Sequence, residues 1–172
     1  PEKNLDVVPG DGIYSMSLLD GVPKKIISIE QMLMSNPISN MKGSVHYLEH
    51  MLFSPNGNKF LFFHRWKMSG GIYDRLYTAD TDGRNIYLLN DSGKMSHCCW
   101  QDNETVFGWG GAQTAINTLR KYKTIAKYFI KPLLPLYKKL VSGNSIDGTS
   151  KISSMVTGES YLFLKDKTKQ VR

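Results

Sequence analysis

The stretch from His46 to Asn90 limits the fold more than any other part of the chain. It breaks into short apolar and aromatic runs, each closed by a turn signal. His50 to Phe53 leads into Ser54-Pro55-Asn56-Gly57, where proline fixes φ and glycine supplies a conformation that other residues resist. Lys59 to Arg65 (KFLFFHR) is rich in aromatics and reads as a strand. Lys67 to Tyr73 holds Gly70-Gly71 and reads as a loop, and Arg75 to Ala79 (RLYTA) reads as a third strand. Asp80-Thr81-Asp82-Gly83 turns the chain into a fourth run, Asn85 to Leu89. The expectation is a sheet of four antiparallel strands, neighbours in chain order.

The pattern then restarts. Ser96 to Trp100 (SHCCW) stands where His50 to Phe53 stood, Gln101-Asp102-Asn103-Glu104 replaces the proline turn, and Thr105 to Trp109 (TVFGW) replaces KFLFF. Upstream, Gly12 to Ser28 reads as a strand ending in Leu18-Leu19, the turn pair Asp20-Gly21, and a strand from Lys25 to Ile29. Its IYSMSLLDG lies beside LYTADTDG of the middle segment. Both Asp-Gly pairs predict tight turns with the glycine at positive φ. A four-stranded unit recurring at about 40–50 residues is the pattern of a β-propeller blade, which cannot bury both its faces alone. The expected fold is therefore all-β: a partial β-propeller of about three blades, too few to close a ring. Residues 10–45 are a partial blade, 46–94 a complete four-stranded blade, and 95–172 the following blade or blades.

Two segments break the rhythm. Glu30 to Ser44 reads as a loop or a short helix, with Met32, Leu33 and Met34 ahead of Asn36-Pro37. Residues 113–141 form an insertion open to two readings. One is a basic amphipathic helix, with Ile116, Leu119, Ala126, Phe129, Ile130 and Leu133 near helical spacing. The other is a pair of strands, Lys127 to Ile130 and Tyr137 to Val141. The tail resumes the strand style, with a turn at Thr157-Gly158-Glu159-Ser160 and a strand from Tyr161 to Leu164.

Charge bears on partners rather than fold. Lys and Arg number 22 against 15 Asp and Glu, a net charge of +7 that attracts polyanions. Seven of the cations fall between Arg120 and Lys139 with no acidic residue among them. The two cysteines, Cys98 and Cys99, are adjacent, where a mutual disulfide is strained. With no disulfide framework a reducing, cytoplasmic compartment is favoured. Residues 1–9 lack the layout of a secretory signal, and no apolar run reaches the roughly 20 residues that span a bilayer.

The middle segment, with FSPNGNKFLFF at its centre, resembles the WD40-like, TolB-type propeller repeat. The wider pattern, HMLFSPNGNKFLFFHRW, then RLYTADTDG, then SHCCW, resembles oligogalacturonate-lyase-like propellers and propellers associated with bacterial surface polysaccharides. The resemblance covers His46 to Trp109 well and Gly12 to Ser28 weakly. It implies three things. His50, His64 and His97 would converge on the central channel and hold a divalent metal ion of the manganese type. Arg65 and Arg75 would fork onto the carboxylate of an acidic sugar, and Trp100 would stack on a sugar ring. The function would be binding, or lyase cleavage, of an acidic oligo- or polysaccharide. The alternative roles of these residues are structural: histidines capping strand ends, arginines pairing with Asp74, Asp80 or Asp82, and tryptophans in the core. His46 and Glu49 are expected to face solvent. Relatives of this kind carry Asp-Gly-His where this chain has Asp147-Gly148-Thr149, which favours binding over cleavage. The competing function is a non-enzymatic scaffold that binds another protein or further blades. Nucleic acid is not an expected partner.

Overall fold

A computed structural model describes residues 8–68, 71–111 and 159–168. These form three antiparallel sheets. The first pairs β1 (Gly12–Met16) with β2 (Pro23–Ser28). The second runs in chain order through β3 (His46–Phe53), β4 (Lys59–Met68), β5 (Gly71–Asp80) and β6 (Tyr87–Asn90). The third joins β7 (Met95–Trp100), β8 (Thr105–Gly111) and β9 (Glu159–Lys165). A helix, α1 (Ile29–Ser35), and a 3-10 turn (Ser39–Met41) lie between the first and second sheets in the chain. The expected four antiparallel neighbours in chain order are what the middle sheet shows.

Local chemistry sets the turns. Gly57 N–H donates to the Ser54 carbonyl at 2.9 Å and Gly83 N–H to the Asp80 carbonyl at 2.8 Å. Gly21, Gly57 and Gly83 all sit at positive φ (67°, 70° and 84°), as their turns demand. Asp102 closes the β7–β8 turn by accepting from the amides of Glu104 and Thr105. The turns of neighbouring sheets meet, since the Asn56 amide donates to Asn103 Oδ1 at 3.0 Å.

The strands of the middle sheet are buried on both faces by alternation. Phe60, Phe62, Tyr77 and Ala79 meet Ile13 and Ile27 of the first sheet and Met32 of α1. On the opposite face Leu61, Phe63 and Leu76 meet Met95 and Val106 of the third. The middle sheet is thus a filling between two neighbours, which is why its aromatic run can be apolar at successive positions rather than at every second one.

Several boundaries differ from expectation. β1 ends at Met16, so Leu18 and Leu19 sit in the turn, 94% and 99% exposed. Lys67 to Tyr73 is not a long loop: β4 and β5 pair in register from Lys59↔Asp80 to Met68↔Gly71. Gly71 belongs to β5, where it pairs with Met68. His46 does not face solvent but is buried, stacked 5.4 Å from the Trp66 ring. Glu49 is half-buried against Arg65. Residues 113–141 and 147–149 lie outside the described residues. No helix among the described residues is long and apolar enough to cross a membrane.

Candidate functional site

The first strands of the second and third sheets share an irregularity. In β3 the register slips between Glu49 and Leu52, so two residues oppose one on β4. In β7 it slips between Ser96 and Cys98. Each slip is a β-bulge, which bends the strand and re-aims a side chain. The bulge residues are His50, with φ 57°, and His97, with φ 47°. A non-glycine residue pays a steric cost in that region, so the conformation is imposed at the same place in two successive sheets.

The two histidines line one cleft of about 390 Å³ between the sheets, together with Met51, Leu52, Leu61, Phe63, Arg65, Ser96 and Cys98. The His50 side chain is 65% exposed and its Nδ1 lies 3.3 Å from Glu49 Oε1. Its ring meets Phe63 edge-on at 5.8 Å. Behind it, Arg65 packs 4.5 Å over the Phe63 ring. Arg65 is claimed by two carboxylates: NH1 pairs with Glu49, and Nε lies 2.6 Å from Asp74 Oδ1. Burial raises the Asp74 carboxyl above its ordinary range, against the opposing pull of Arg65. Burial pushes the Cys98 thiol up to about 11, which makes it a poor nucleophile. Arg65 and Ser96 also line a smaller cleft of about 270 Å³ with Ile72, Asp74, Lys94, Met95, Trp109 and Gly110.

The remaining candidate residues lie elsewhere. His64 is on the opposite face of β4, since its neighbours Phe63 and Arg65 point into the cleft and it points away. It is wholly buried. His46 Nε2–H donates to the Met41 carbonyl at 3.0 Å, which leaves His46 Nδ1 to accept from His64 Nε2–H at 2.9 Å. Burial first, then the neighbouring His46 and Arg75, lower the His64 pKa to about 3. The expected trio of His50, His64 and His97 therefore does not converge: strand alternation sends His64 to the other side of the sheet. No group of three or more His, Cys, Asp or Glu side chains placed to hold a metal ion is found among the described residues.

Arg75 is 1% exposed. Its Nε lies 2.9 Å from Asp91 Oδ1 and its NH1 donates to the Asn36 carbonyl at 2.6 Å. It holds the α1 connection onto the sheet, with Trp66 Nε1–H donating to Asn40 Oδ1 beside it. Trp100 is half-buried, and its Nε1–H donates to the Leu52 carbonyl at 2.9 Å, tying β7 to β3. Ser96, Glu49 and Cys98 were not singled out by sequence as site residues. The adjacency of Glu49 to His50, and of Ser96 and Cys98 to His97, is the signal that finds them.

No protein-family model matches the chain, and no curated protein matches it.

Proposed function

We propose that the chain is a section of a β-propeller, and that the cleft between β3 and β7 binds an acidic oligosaccharide. One observation carries the reading: equivalent bulges in successive sheets deliver His50 and His97 to a single cleft, with Arg65 behind them. Two exposed imidazoles, a serine hydroxyl and an apolar floor of Leu61 and Phe63 suit a sugar ring that carries polar edges and an apolar face. The resemblance of His46 to Trp109 to polysaccharide-associated propellers and the net charge of +7 support an acidic ligand.

The local electrostatics restrict how such a ligand is held. Arg65 is already balanced by Glu49 and Asp74. A uronate carboxylate gains from Arg65 by displacing the half-exposed Glu49, not the buried Asp74. Since His64 is turned away, the reading routes no step through a metal ion, and the activity proposed is binding rather than cleavage. A second reading, a protein-binding scaffold, rests on the exposed apolar run of β3: Met51 and Leu52, which line the cleft, and Phe53 after them.

Calorimetric titration with an oligogalacturonate tests the proposal. Saturable binding is expected, weakened about tenfold by His50→Ala or His97→Ala, the loss typical of one or two hydrogen bonds. His64→Gln should leave it unchanged. Equal binding of a neutral oligosaccharide, or no effect of either bulge variant, would remove this assignment.

A further inference from the structure

We propose that Glu49 sets the selectivity of the cleft: it stands in for a ligand carboxylate on Arg65 until an acidic sugar takes its place and His50 receives it. The inference rests on the glycan reading above and deepens it, by naming the residue that separates charged sugars from neutral ones.

The bulge in β3 creates the arrangement. Glu49 is opposite Phe63 in the register, so the two share the cleft face of the sheet. Plain alternation would send the next side chain to the other face. The extra residue of the bulge keeps His50 on the same side, and two consecutive side chains meet. One oxygen then serves two neighbours: Glu49 Oε1 pairs with Arg65 NH1 and lies 3.3 Å from His50 Nδ1. In the equivalent bulge of β7 the residue before the histidine is Ser96. The two bulges repeat the imidazole but not the carboxylate, so Glu49 is not a requirement of the bend.

The two carboxylates on Arg65 are unlike. The Asp74 side chain is 13% exposed and meets Arg65 Nε, while its Oδ2 accepts from the Met95 amide at 3.4 Å, which fixes it to the third sheet. The Glu49 side chain is 32% exposed. Asp74 is therefore the permanent partner and Glu49 the exchangeable one. Removing Glu49 with nothing in its place leaves a largely buried guanidinium short of a partner, which is unfavourable. A uronate carboxylate supplies the replacement, whereas the hydroxyls of a neutral sugar supply no charge. Exchange thus admits acidic sugars to Arg65 and leaves neutral ones the apolar floor alone. His50 Nδ1 is within reach of the displaced oxygen, so Glu49 keeps a partner after the exchange.

Calorimetric titration of the whole chain with trigalacturonate, and with the neutral galactose trimer, tests this. Glu49→Gln should tighten trigalacturonate binding about tenfold, because the competing charge is gone. The same variant should leave the neutral trimer unaffected. Glu49→Asp separates displacement from a general field. It keeps the negative charge but draws it back from Arg65 by one methylene, and it should tighten binding too. In a His50→Ala background the gain from Glu49→Gln should be larger, because the displaced carboxylate has lost its alternative partner. Unchanged or weaker trigalacturonate binding in either Glu49 variant, or equal tightening of the neutral trimer, would overturn the inference and leave the site in place. A gain no larger without His50 would overturn the handover to His50. No binding of trigalacturonate to the native chain would remove the glycan reading, and the inference with it.

Discussion

The residue with the sharpest energetic signature is His64, an imidazole held neutral in the core. Its folded pKa, about 3, is far below the ordinary 6.5. Folding therefore favours the uncharged ring. That contribution is fully present above pH 6.5 and is lost as pH falls toward 3, at up to about 1.4 kcal/mol per pH unit. Urea melts between pH 7 and 4 should show the slope, and His64→Gln should flatten it; parallel slopes would contradict the assignment. Glycines give a second contrast. A Cβ on Gly21 meets nothing within 4 Å, whereas one on Gly83 runs into the Ile26 carbonyl. Gly21→Val should cost about 1 kcal/mol from φ strain alone, and Gly83→Val about 2–4 kcal/mol from strain plus the clash. Equal melting temperatures for the two variants would refute the close approach. The glycine turns were legible in sequence because Asp-Gly and Pro-Asn-Gly report a local conformation. The burial of His46 was not, because it depends on Trp66, Met41 and His64 arriving from other elements.

Elements join through contacts that sequence reading could not pair. Lys59 opens β4, and its ammonium is buried against Asp166, just after β9, at 2.7 Å. Thr78 of β5 also donates to Asp166 Oδ2, at 2.9 Å. Burial alone would raise the Asp166 carboxyl. Hydrogen bonds from Lys59, Thr168 and Thr78 outweigh it and hold the group below its usual range. The cluster clasps the third sheet to the second. Lys59→Met should destabilise by about 3–5 kcal/mol by stranding a buried carboxylate, and Asp166→Leu in the same chain should restore most of it. Thermal melts of the single and double variants check this; an additive loss would show that the pair is not a unit. Strand order within the middle sheet was legible because each turn is short and chemically marked. The extent of the β4–β5 pairing was obscured by Gly70-Gly71, which reads as a break although Gly71 is already paired with Met68. The sequence of Glu30 to Ser44 suits a loop as well as the short helix that α1 forms. Ser28 caps its start by accepting from the Gln31 amide, and the helix ends at Ser35, directly before the Asn36-Pro37 boundary signal.

At the scale of the molecule, three sheets stack so that the middle one is covered on both faces, and the cleft is a product of that stacking. His50 and His97 are 47 positions apart in sequence, and the equivalence of SHCCW with HMLF was enough to match them. What the sequence could not give was facing. A single extra residue in each first strand turns these two imidazoles into the cleft, while plain alternation turns His64 away. The arginines separate for the same reason: Arg65 faces the cleft, and Arg75, with the next strand's register, is spent on Asp91 and Asn36. The chain has four histidines, two in the cleft and two in the core, so one experiment carries its own control. In an NMR titration of imidazole-labelled protein with a trigalacturonate, the ring signals of His50 and His97 should move together and saturate, while those of His46 and His64 stay fixed. Movement of the core pair, or stillness of all four rings at saturating ligand, would contradict the proposed site.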